Sequence, residues 1–337
     1  MTKIAINGFG RIGRLFFREA INNPDLEVVA VNDLGNIENL AYLLRFDSVY
    51  RHFSKEVSVS GNDLIVDGKT VKFLSEKDPA NLPWGALGVD IVVESTGAFE
   101  SFEAASAHLK AGAKRVVITA PGKDAEGGFG KTVLLGVNDD DAKDVKVTSN
   151  GSCTTNAIAS VIKVLSETVG VEKACLNTTH AYTNTQTIVD SPTKGNDFRR
   201  GRAGAQNVAP SSTGAAVAVT RVIPELAGKF DGLAIRVPNI TGSLADITFI
   251  SKRNTTPEEI NQILTEASKD KYKGIIAVSN DQLVSSDVIG VKVPAVIDAL
   301  STKVVDGNLV KVLSWYDNEM GYVETLVNHV KLVSKYL

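Results

Sequence analysis

The strongest constraint on this chain is Gly8-Phe9-Gly10-Arg11-Ile12-Gly13. It lies between a short apolar run, Lys3-Ile4-Ala5-Ile6-Asn7, and a helical pattern in which Ile12, Leu15, Phe16 and Ala20 share a face. A second apolar run, Leu26 to Asn32, ends on Asp33, about 20 residues past the last glycine. A lone glycine repeat says little. Strand, glycine turn, helix, strand and acid in that order predict a βαβ unit that holds a dinucleotide. The glycines allow a tight turn and close approach of a pyrophosphate, and the first helical amides receive its charge. Asp33 would accept from the adenosine ribose hydroxyls and repel a 2′-phosphate.

More α/β units follow. Asn36 to Phe46 reads as a helix. Asp67-Gly68, between Leu64-Ile65-Val66 and Val71-Lys72-Phe73, reads as a hairpin turn. Ile91 to Glu94 is a buried strand, with Ser95-Thr96-Gly97 turning beside the cofactor. Phe102 to Ala111 is a helix, and Arg115 to Ile118 and Val145 to Ser149 are strands. Gly130-Lys131-Thr132 hints at a phosphate loop, but Ala125 stands where that motif needs glycine.

The last of these strands delivers the chain to Ser149-Asn150-Gly151-Ser152-Cys153-Thr154-Thr155-Asn156. Ile158, Val161, Ile162, Leu165 and Val169 then recur at helical spacing until Gly170. Cys153 therefore sits at the mouth of a helix, with cap-type hydroxyls on Ser152 and Thr154. The positive helix end favours thiolate, which is scarce for a free cysteine of pKa roughly 8.5. The competing reading is a small buried hydrophobe. The other cysteine, Cys175, lies among strand residues and is expected in the core.

Past this helix, strands are joined by long polar segments. Ala174 to Thr179 runs into His180-Ala181-Tyr182-Thr183-Asn184. A thiol–imidazole pair would explain both Cys153 and His180, against a purely structural histidine. Asp190 to Pro210 is long, polar and rich in glycine, with Arg199, Arg200 and Arg202 clustered. Such a loop is usually functional or interfacial. Ser211-Ser212-Thr213-Gly214 opens a helix, another anion-friendly terminus. Arg236, inside the apolar strand Leu233 to Val237, needs a carboxylate or a bound phosphate. Strands at Leu244 to Ile250 and Val310 to Trp315 precede a helix from about Met320 to Tyr336.

A length of 337 residues at 43% hydrophobic and 22% charged accommodates two domains. A net charge of -3 carries no nucleic-acid footprint. There is no apolar run near about 18 residues and no signal-peptide pattern after Met1, so neither a membrane span nor a leader is expected. Two cysteines suit the cytosol rather than a disulfide scaffold. With His52, His108, His180 and His329 they are too scattered to suggest a metal site.

Together these residues resemble the phosphorylating glyceraldehyde-3-phosphate dehydrogenase family over the whole chain. The resemblance rests on Asn7-Gly8-Phe9-Gly10-Arg11-Ile12-Gly13-Arg14, Ser152-Cys153-Thr154-Thr155-Asn156, Ser212-Thr213-Gly214-Ala215-Ala216 and Trp315-Tyr316-Asp317-Asn318-Glu319-Met320-Gly321-Tyr322. It implies an α/β fold: an N-terminal Rossmann domain over residues 1–150 and an α+β catalytic domain with a mostly antiparallel sheet over 151–317. A C-terminal helix, about 318–337, would return to the first domain. It implies NAD-dependent oxidative phosphorylation of D-glyceraldehyde 3-phosphate to 1,3-bisphosphoglycerate through a cysteine thioester. Cys153 matches the nucleophile and His180 its base. Asn7, Gly8, Gly10, Arg11, Ile12, Gly13, Asp33, Lys77, Thr119, Asn318 and Tyr322 match cofactor contacts, with Asn318 on the nicotinamide carboxamide. Thr183 and Arg236 match donors to the substrate phosphate. Ser152, Thr154, Thr213 and Gly214 match the site of attacking phosphate, and the resemblance adds Arg200 to an anion site. The implied assembly is a cytoplasmic homotetramer in which the Asp190 to Pro210 segment reaches a neighbouring subunit's cofactor.

The chain departs from the family pattern at Gly151, usually Ala, and at Ala157, where a second cysteine is common. Thr185 stands for a frequent Asp, Ser191 for an apolar residue before Pro192, and Asn239-Ile240-Thr241-Gly242 for a different sequence. One rival is a sister enzyme that oxidises erythrose 4-phosphate and releases acid; Thr213-Gly214 and the Asn318 to Tyr322 tail favour the phosphorylating reading. Another is a non-enzymatic NAD-binding interaction protein, against which Cys153 and His180 argue.

Asp33 makes the first testable point. Repulsion between unit charges about 4 Å apart is about 4 kcal/mol at an effective dielectric of 20. A hydroxyl such as that of Ser191 offers an NADP phosphate only about 1 kcal/mol. NAD should therefore be preferred over NADP about a hundredfold or more in kcat/KM, and Asp33→Gly should erode that ratio. Comparable use of both cofactors by the wild type would remove Asp33 as the selector.

Overall fold

Ile4, Ala5, Ile6, Ile91, Val92 and Val93 are all wholly buried. Strands apolar on both faces suit a parallel sheet covered on both sides. The computed structural model describes residues 1–193 and 196–337. It divides into Met1–Gly151 with Val323–Leu337, and Ser152–Tyr322.

The first unit is built on a nine-stranded sheet. Its order is Gly130–Thr132, Val147–Ser149, Arg115–Ile118, Ile91–Glu94, Thr2–Asn7, Leu26–Asn32, Lys69–Leu74, Asp63–Val66 and Val57–Ser60. The first seven run parallel and the last two extend the edge antiparallel. The chain builds outward from Thr2–Asn7 in one direction, then returns to add Ile91–Glu94 on its other side. Ligands of such sheets bind at the carboxyl ends of the strands flanking this switch. There Gly8 turns at φ +93, and a Cβ added to it would lie 2.6 Å from the Thr96 amide nitrogen. Only glycine lets these two backbones meet.

Local chemistry explains the elements. Asn36 caps the Ile37–Arg45 helix by accepting from the Asn39 amide at 2.9 Å. Asp67 and Gly68 both have positive φ, +47 and +74, as a primed hairpin turn requires. The helix expected over Phe102 to Ala111 is instead two short helices, Phe102–Ala105 and Ala107–Lys110. Between them the Ser106 hydroxyl donates to the Glu103 carbonyl at 2.6 Å, a local bond that competes with a continuous helix.

The second unit carries a mostly antiparallel sheet. Its order is Ala209–Ser212, Phe230–Val237, Val171–Ala181, Ser243–Ser251, Leu309–Tyr316, Ala295–Asp298 and Ile276–Ser279, with Lys303–Val305 also on Leu309–Tyr316. Two neighbouring pairs are parallel: Val171–Ala181 with Phe230–Val237, and Ile276–Ser279 with Ala295–Asp298. The Cys153–Thr168 helix packs on this sheet beside Ala215–Val222 and Pro257–Lys269. Residues expected to open a helix at Ser211 and Ser212 end a strand instead, and the helix starts at Ala215. Cys175 is exposed, not core. Strand periodicity gives the packed face to Leu176, Thr178 and His180, so Cys175 takes the other face.

His329 supplies a measurable property of the first unit. It is wholly buried, with Nδ1 3.0 Å from Asn150 Oδ1 and Nε2 2.9 Å from Thr148 Oγ1. Burial pushes it down to about 3, against about 6.5 when unfolded. Between these values the unfolded chain binds a proton that the folded unit does not. This contribution to stability is complete above about pH 6.5. It falls as pH drops toward 3, by up to about 1.4 kcal/mol per pH unit. His329→Gln should flatten the loss of denaturation midpoint between pH 7 and 4.5; a slope equal to wild type would contradict this origin.

Candidate active site

In the first unit the Arg11–Ala20 helix starts at Gly10, which has no side chain to cap it. A Cβ built on Gly10 would meet nothing within 4 Å, so the helix mouth is open above this residue. Asp33 ends the neighbouring strand. Its carboxylate accepts from the Phe9 amide at 2.6 Å and the Gly35 amide at 2.8 Å, which fixes it while leaving lone pairs on both oxygens. Open amides and an oriented carboxylate fit a dinucleotide's pyrophosphate and ribose. Arg11 turns its guanidinium to Asp47 at 2.8 Å. Ile12 is half-buried, Gly8 is buried in the turn and Gly13 within the Arg11–Ala20 helix, Thr119 follows the Arg115–Ile118 strand, and Lys77 is exposed past Lys69–Leu74. Asn7 departs from its expected place as a contact: its side chain is buried and donates inward to Glu94 at 2.5 Å.

In the second unit a capping box starts the Cys153–Thr168 helix. The Ser152 hydroxyl accepts from the Thr155 amide at 3.1 Å, and the Thr155 hydroxyl accepts from the Ser152 amide at 3.3 Å. This holds Cys153 on the first turn with Sγ 3.4 Å from His180 Nε2. His180 Nδ1 lies 2.7 Å from the Ala181 carbonyl oxygen. The Ala181 carbonyl calls for a proton on Nδ1, whereas the donor-only Arg236 guanidinium beside it calls for a lone pair there; with the proton on Nδ1, Nε2 accepts from the thiol. Arg236 Nη1 converges on the same carbonyl at 3.0 Å and lies 2.8 Å from Nδ1.

Burial pushes His180 down to about 3, with the Arg236 charge adding to it. The imidazole is therefore neutral and able to take a proton. Burial also pushes the Cys153 thiol up, against Arg236 and the hydrogen bonds of Thr154. This corrects the expectation that the helix mouth favours thiolate, because desolvation outweighs the dipole. The resting pair is a thiol facing a neutral base.

Tyr316 ties the pair to the sheet. It is buried, and its hydroxyl lies 2.9 Å from Thr154 Oγ1 and 2.8 Å from Thr178 Oγ1. Its ring meets His180 edge-on, with centroids 5.9 Å apart. The hydroxyls of Thr154 and Ser152, expected at a phosphate site, are thus engaged by Tyr316 and by the helix cap.

Arg236 has no carboxylate partner among the described residues, and its buried Nε has no hydrogen bond. That leaves the phosphate alternative. Thr185 links two other expected donors, accepting from Arg200 Nη1 at 2.9 Å and lying 2.9 Å from Thr183 Oγ1. Arg199 and Arg200 both pair with Asp197 and Arg202 pairs with Asp190; of the three, Arg200 also reaches Thr185. Thr213 accepts from the Ala215 amide at 3.2 Å, and exposed Gly214 caps that helix. Lys194 and Gly195, inside the Asp190 to Pro210 segment, lie outside the described residues.

Asn318 is oriented by two donors. Its Oδ1 accepts from Ser243 Oγ at 2.9 Å and the Gly242 amide at 3.1 Å, while the Thr241 hydroxyl, 3.3 Å away, gives its one proton to Asp317 Oδ1 at 3.0 Å. The amide donor identifies that atom as oxygen, so Nδ2 is left to donate outward, as a carboxamide carbonyl requires. Gly242 is needed there: its φ is +87, and a Cβ would lie 2.2 Å from the Ser285 carbonyl oxygen. Tyr322 is buried four residues beyond it, on the Met320–Ser334 helix.

A dinucleotide cradle on a parallel sheet, and a thiol–imidazole pair beside an arginine with no carboxylate partner among the described residues, define the class: an NAD-dependent oxidoreductase. Residues 2–102 match the family model for the glyceraldehyde 3-phosphate dehydrogenase NAD binding domain, and residues 152–318 match that for its C-terminal domain. The chain is 51% identical to glyceraldehyde-3-phosphate dehydrogenase of Geobacillus stearothermophilus, over 97% of this chain and 96% of the relative. It is 50% identical to glyceraldehyde-3-phosphate dehydrogenase 1 of Bacillus subtilis, over 99% and 98%. It is 49% identical to the enzyme of that name from Thermotoga maritima, over 99% and 100%. The chain belongs to the glyceraldehyde-3-phosphate dehydrogenase family.

Sequence reasoning assigned no role to Tyr316, Thr178, Thr241 or Ser243. Tyr316 stands inside a quoted motif, and the alternating burial of Leu309–Tyr316 puts it on the packed face, the one available signal. The others act through registers that appear only once the strands pair.

The geometry predicts how the two thiols differ. Iodoacetamide should reach both half-buried Cys153 and exposed Cys175. Replacing His180 with Asn should slow alkylation of Cys153 by about tenfold or more, since a positioned base is worth about 100-fold or more. Cys175 should be unaffected. Peptide mapping that shows no selective slowing at Cys153 would mean that His180 does not take the thiol proton.

Proposed function

We propose that this chain oxidises D-glyceraldehyde 3-phosphate with NAD and inorganic phosphate, giving 1,3-bisphosphoglycerate in glycolysis. The observation that carries the reading is the 3.4 Å contact between Cys153 Sγ and His180 Nε2, beside an Arg236 without a carboxylate partner. As Sγ attacks the aldehyde carbon, Nε2 receives the thiol proton and passes it to the former carbonyl oxygen, so that a hemithioacetal forms on Cys153 and the imidazole is neutral again. His180 then acts as base on the hemithioacetal hydroxyl while the carbonyl reforms as a thioester. When bound, NAD supplies the electron acceptor for that oxidation. The Asn318 amide orients the carboxamide, and Arg236 and Thr183 hold the substrate phosphate. A phosphate oxygen next attacks the thioester carbon, the carbon–sulfur bond breaks, and the acyl phosphate leaves. The Cys153 backbone amide at the helix start stabilises the oxyanion in both additions.

The working assembly is a homotetramer in the cytoplasm. Ile188 and Val189, 89% and 70% exposed, and Phe198, 75% exposed, lie in and beside the Asp190 to Pro210 segment. Apolar side chains grouped this way support its burial against another copy. Two free thiols suit a reducing compartment.

The test is NADH formation with glyceraldehyde 3-phosphate or erythrose 4-phosphate, each with and without inorganic phosphate. Phosphate-dependent turnover of the first is expected. Phosphate-independent turnover of the second would transfer the chain to the hydrolytic sister activity, and no turnover with tight NAD binding would make it a non-catalytic binder. Arg236→Leu should lower kcat/KM for the phosphorylated aldehyde about 10- to 100-fold more than for glyceraldehyde, as loss of a charge-assisted hydrogen bond predicts.

A further inference from the structure

Beneath the cradle of the first unit runs a buried polar chain that the reaction does not use. Glu94 ends the Ile91–Glu94 strand and is 2% exposed. Its Oε2 accepts from Asn7 Nδ2 at 2.5 Å and faces His108 Nε2 at 3.0 Å. Its Oε1 accepts from the Thr96 amide at 2.9 Å and from the Thr96 hydroxyl. The Trp84 indole, a donor only, donates to His108 Nδ1 at 2.9 Å. The His108 proton is therefore on Nε2 and points at Glu94. On the other side, Asn7 Oδ1 accepts from Asn32 Nδ2 at 2.7 Å. Asn32 in turn exchanges two bonds with the Glu76 backbone, at 2.8 and 2.9 Å.

Every donor direction in this chain is determined by its neighbour, from Trp84 to Glu76. A buried carboxylate and imidazole are costly to desolvate, and apolar side chains often do as well or better for stability. Apolar neighbours are at hand: Trp84 packs with Ala5, Ala30, Leu82, Val89, Val92 and Ala113. What the polar chain adds is direction. Each backbone it grips leads into a cradle residue. Asn7 precedes Gly8, Asn32 precedes Asp33, and Glu76 precedes Lys77. Glu94 holds Thr96, whose backbone the Gly8 turn approaches so closely.

We propose that Trp84, His108 and Glu94, through Asn7 and Asn32, are positioning residues that set the mutual spacing of the four loops that bind NAD. The proposal rests on the NAD-binding reading above and adds the residues that hold its geometry. Glu94→Gln is the informative change. It preserves shape, but its NH2 group must meet either the donors Asn7 and His108 or the donors of Thr96. Trp84→Phe is the milder change, leaving His108 Nδ1 without its donor.

NAD dissociation constants, measured by calorimetry without aldehyde, should rise about tenfold for Glu94→Gln and about threefold for Trp84→Phe, as expected for one misdirected and one lost buried bond. KM for NAD should rise in parallel, while kcat at saturating NAD and KM for the aldehyde stay within about twofold. A lower melting point with NAD affinity within twofold of wild type, in Glu94→Gln or in Trp84→Phe if the former does not fold, would make the chain a stability element only and overturn the proposal. Failure of the wild type itself to bind NAD would instead overturn the NAD-binding reading.

Discussion

The catalytic cluster of the second unit depends on one strand register. Val171–Ala181 and Phe230–Val237 run parallel, with His180 directly beside Arg236. A slip of one residue would send every side chain of one strand to the opposite face. Buried Leu176 and Ala234 resist that slip, because it would expose them. Ser243–Ser251 adds a second restraint from the other side, with Thr178 opposite Ala245. The next strand, Leu309–Tyr316, brings Tyr316 under Thr178 and Thr154. Thus apolar residues far from any chemistry determine where the base, the cation and the phenol meet.

That register has an electrostatic consequence. An arginine 2.8 Å from an imidazole nitrogen opposes a second positive charge there. Burial acts in the same direction, and both keep His180 a base rather than an acid. The same arginine acts oppositely on Cys153, where it favours the anion. One guanidinium thus keeps the acceptor empty and eases the donor's loss of its proton. An anion bound to Arg236 would weaken both effects, so the electrostatics of the pair are linked to occupancy of the neighbouring position.

Much of this was legible in the sequence, for identifiable reasons. Gly8 to Gly13 between strand and helix carries its meaning in local geometry, as does Asp67-Gly68 in its turn. Cys153 was placed at a helix mouth by spacing alone. Its ionisation is not legible there, because burial is a tertiary property and desolvation exceeds the pull of the helix end. The exposure of Cys175 is not legible either, because one strand residue does not announce its face. The phase comes from Leu176, Thr178 and His180 together. Asn7 reads as part of a ligand motif, yet its side chain points inward, since its partner Glu94 is brought beside it only by strand pairing. The departures at Thr241 and Gly242 had no visible purpose until the fold brought them to Asn318.

Ala157 lies one helical turn beyond Cys153 and is wholly buried. It has no sulfur to offer. The other thiol, Cys175, is on the face of its strand opposite His180. If peroxide converts Cys153 to a sulfenic acid, that group has no partner within the helix with which to close a disulfide. Its reversible fate is capture by a small thiol from solution, and its irreversible fate is further oxidation to sulfinic acid. Recovery after oxidative stress then depends on the surrounding thiol pool rather than on the protein's own sulfur.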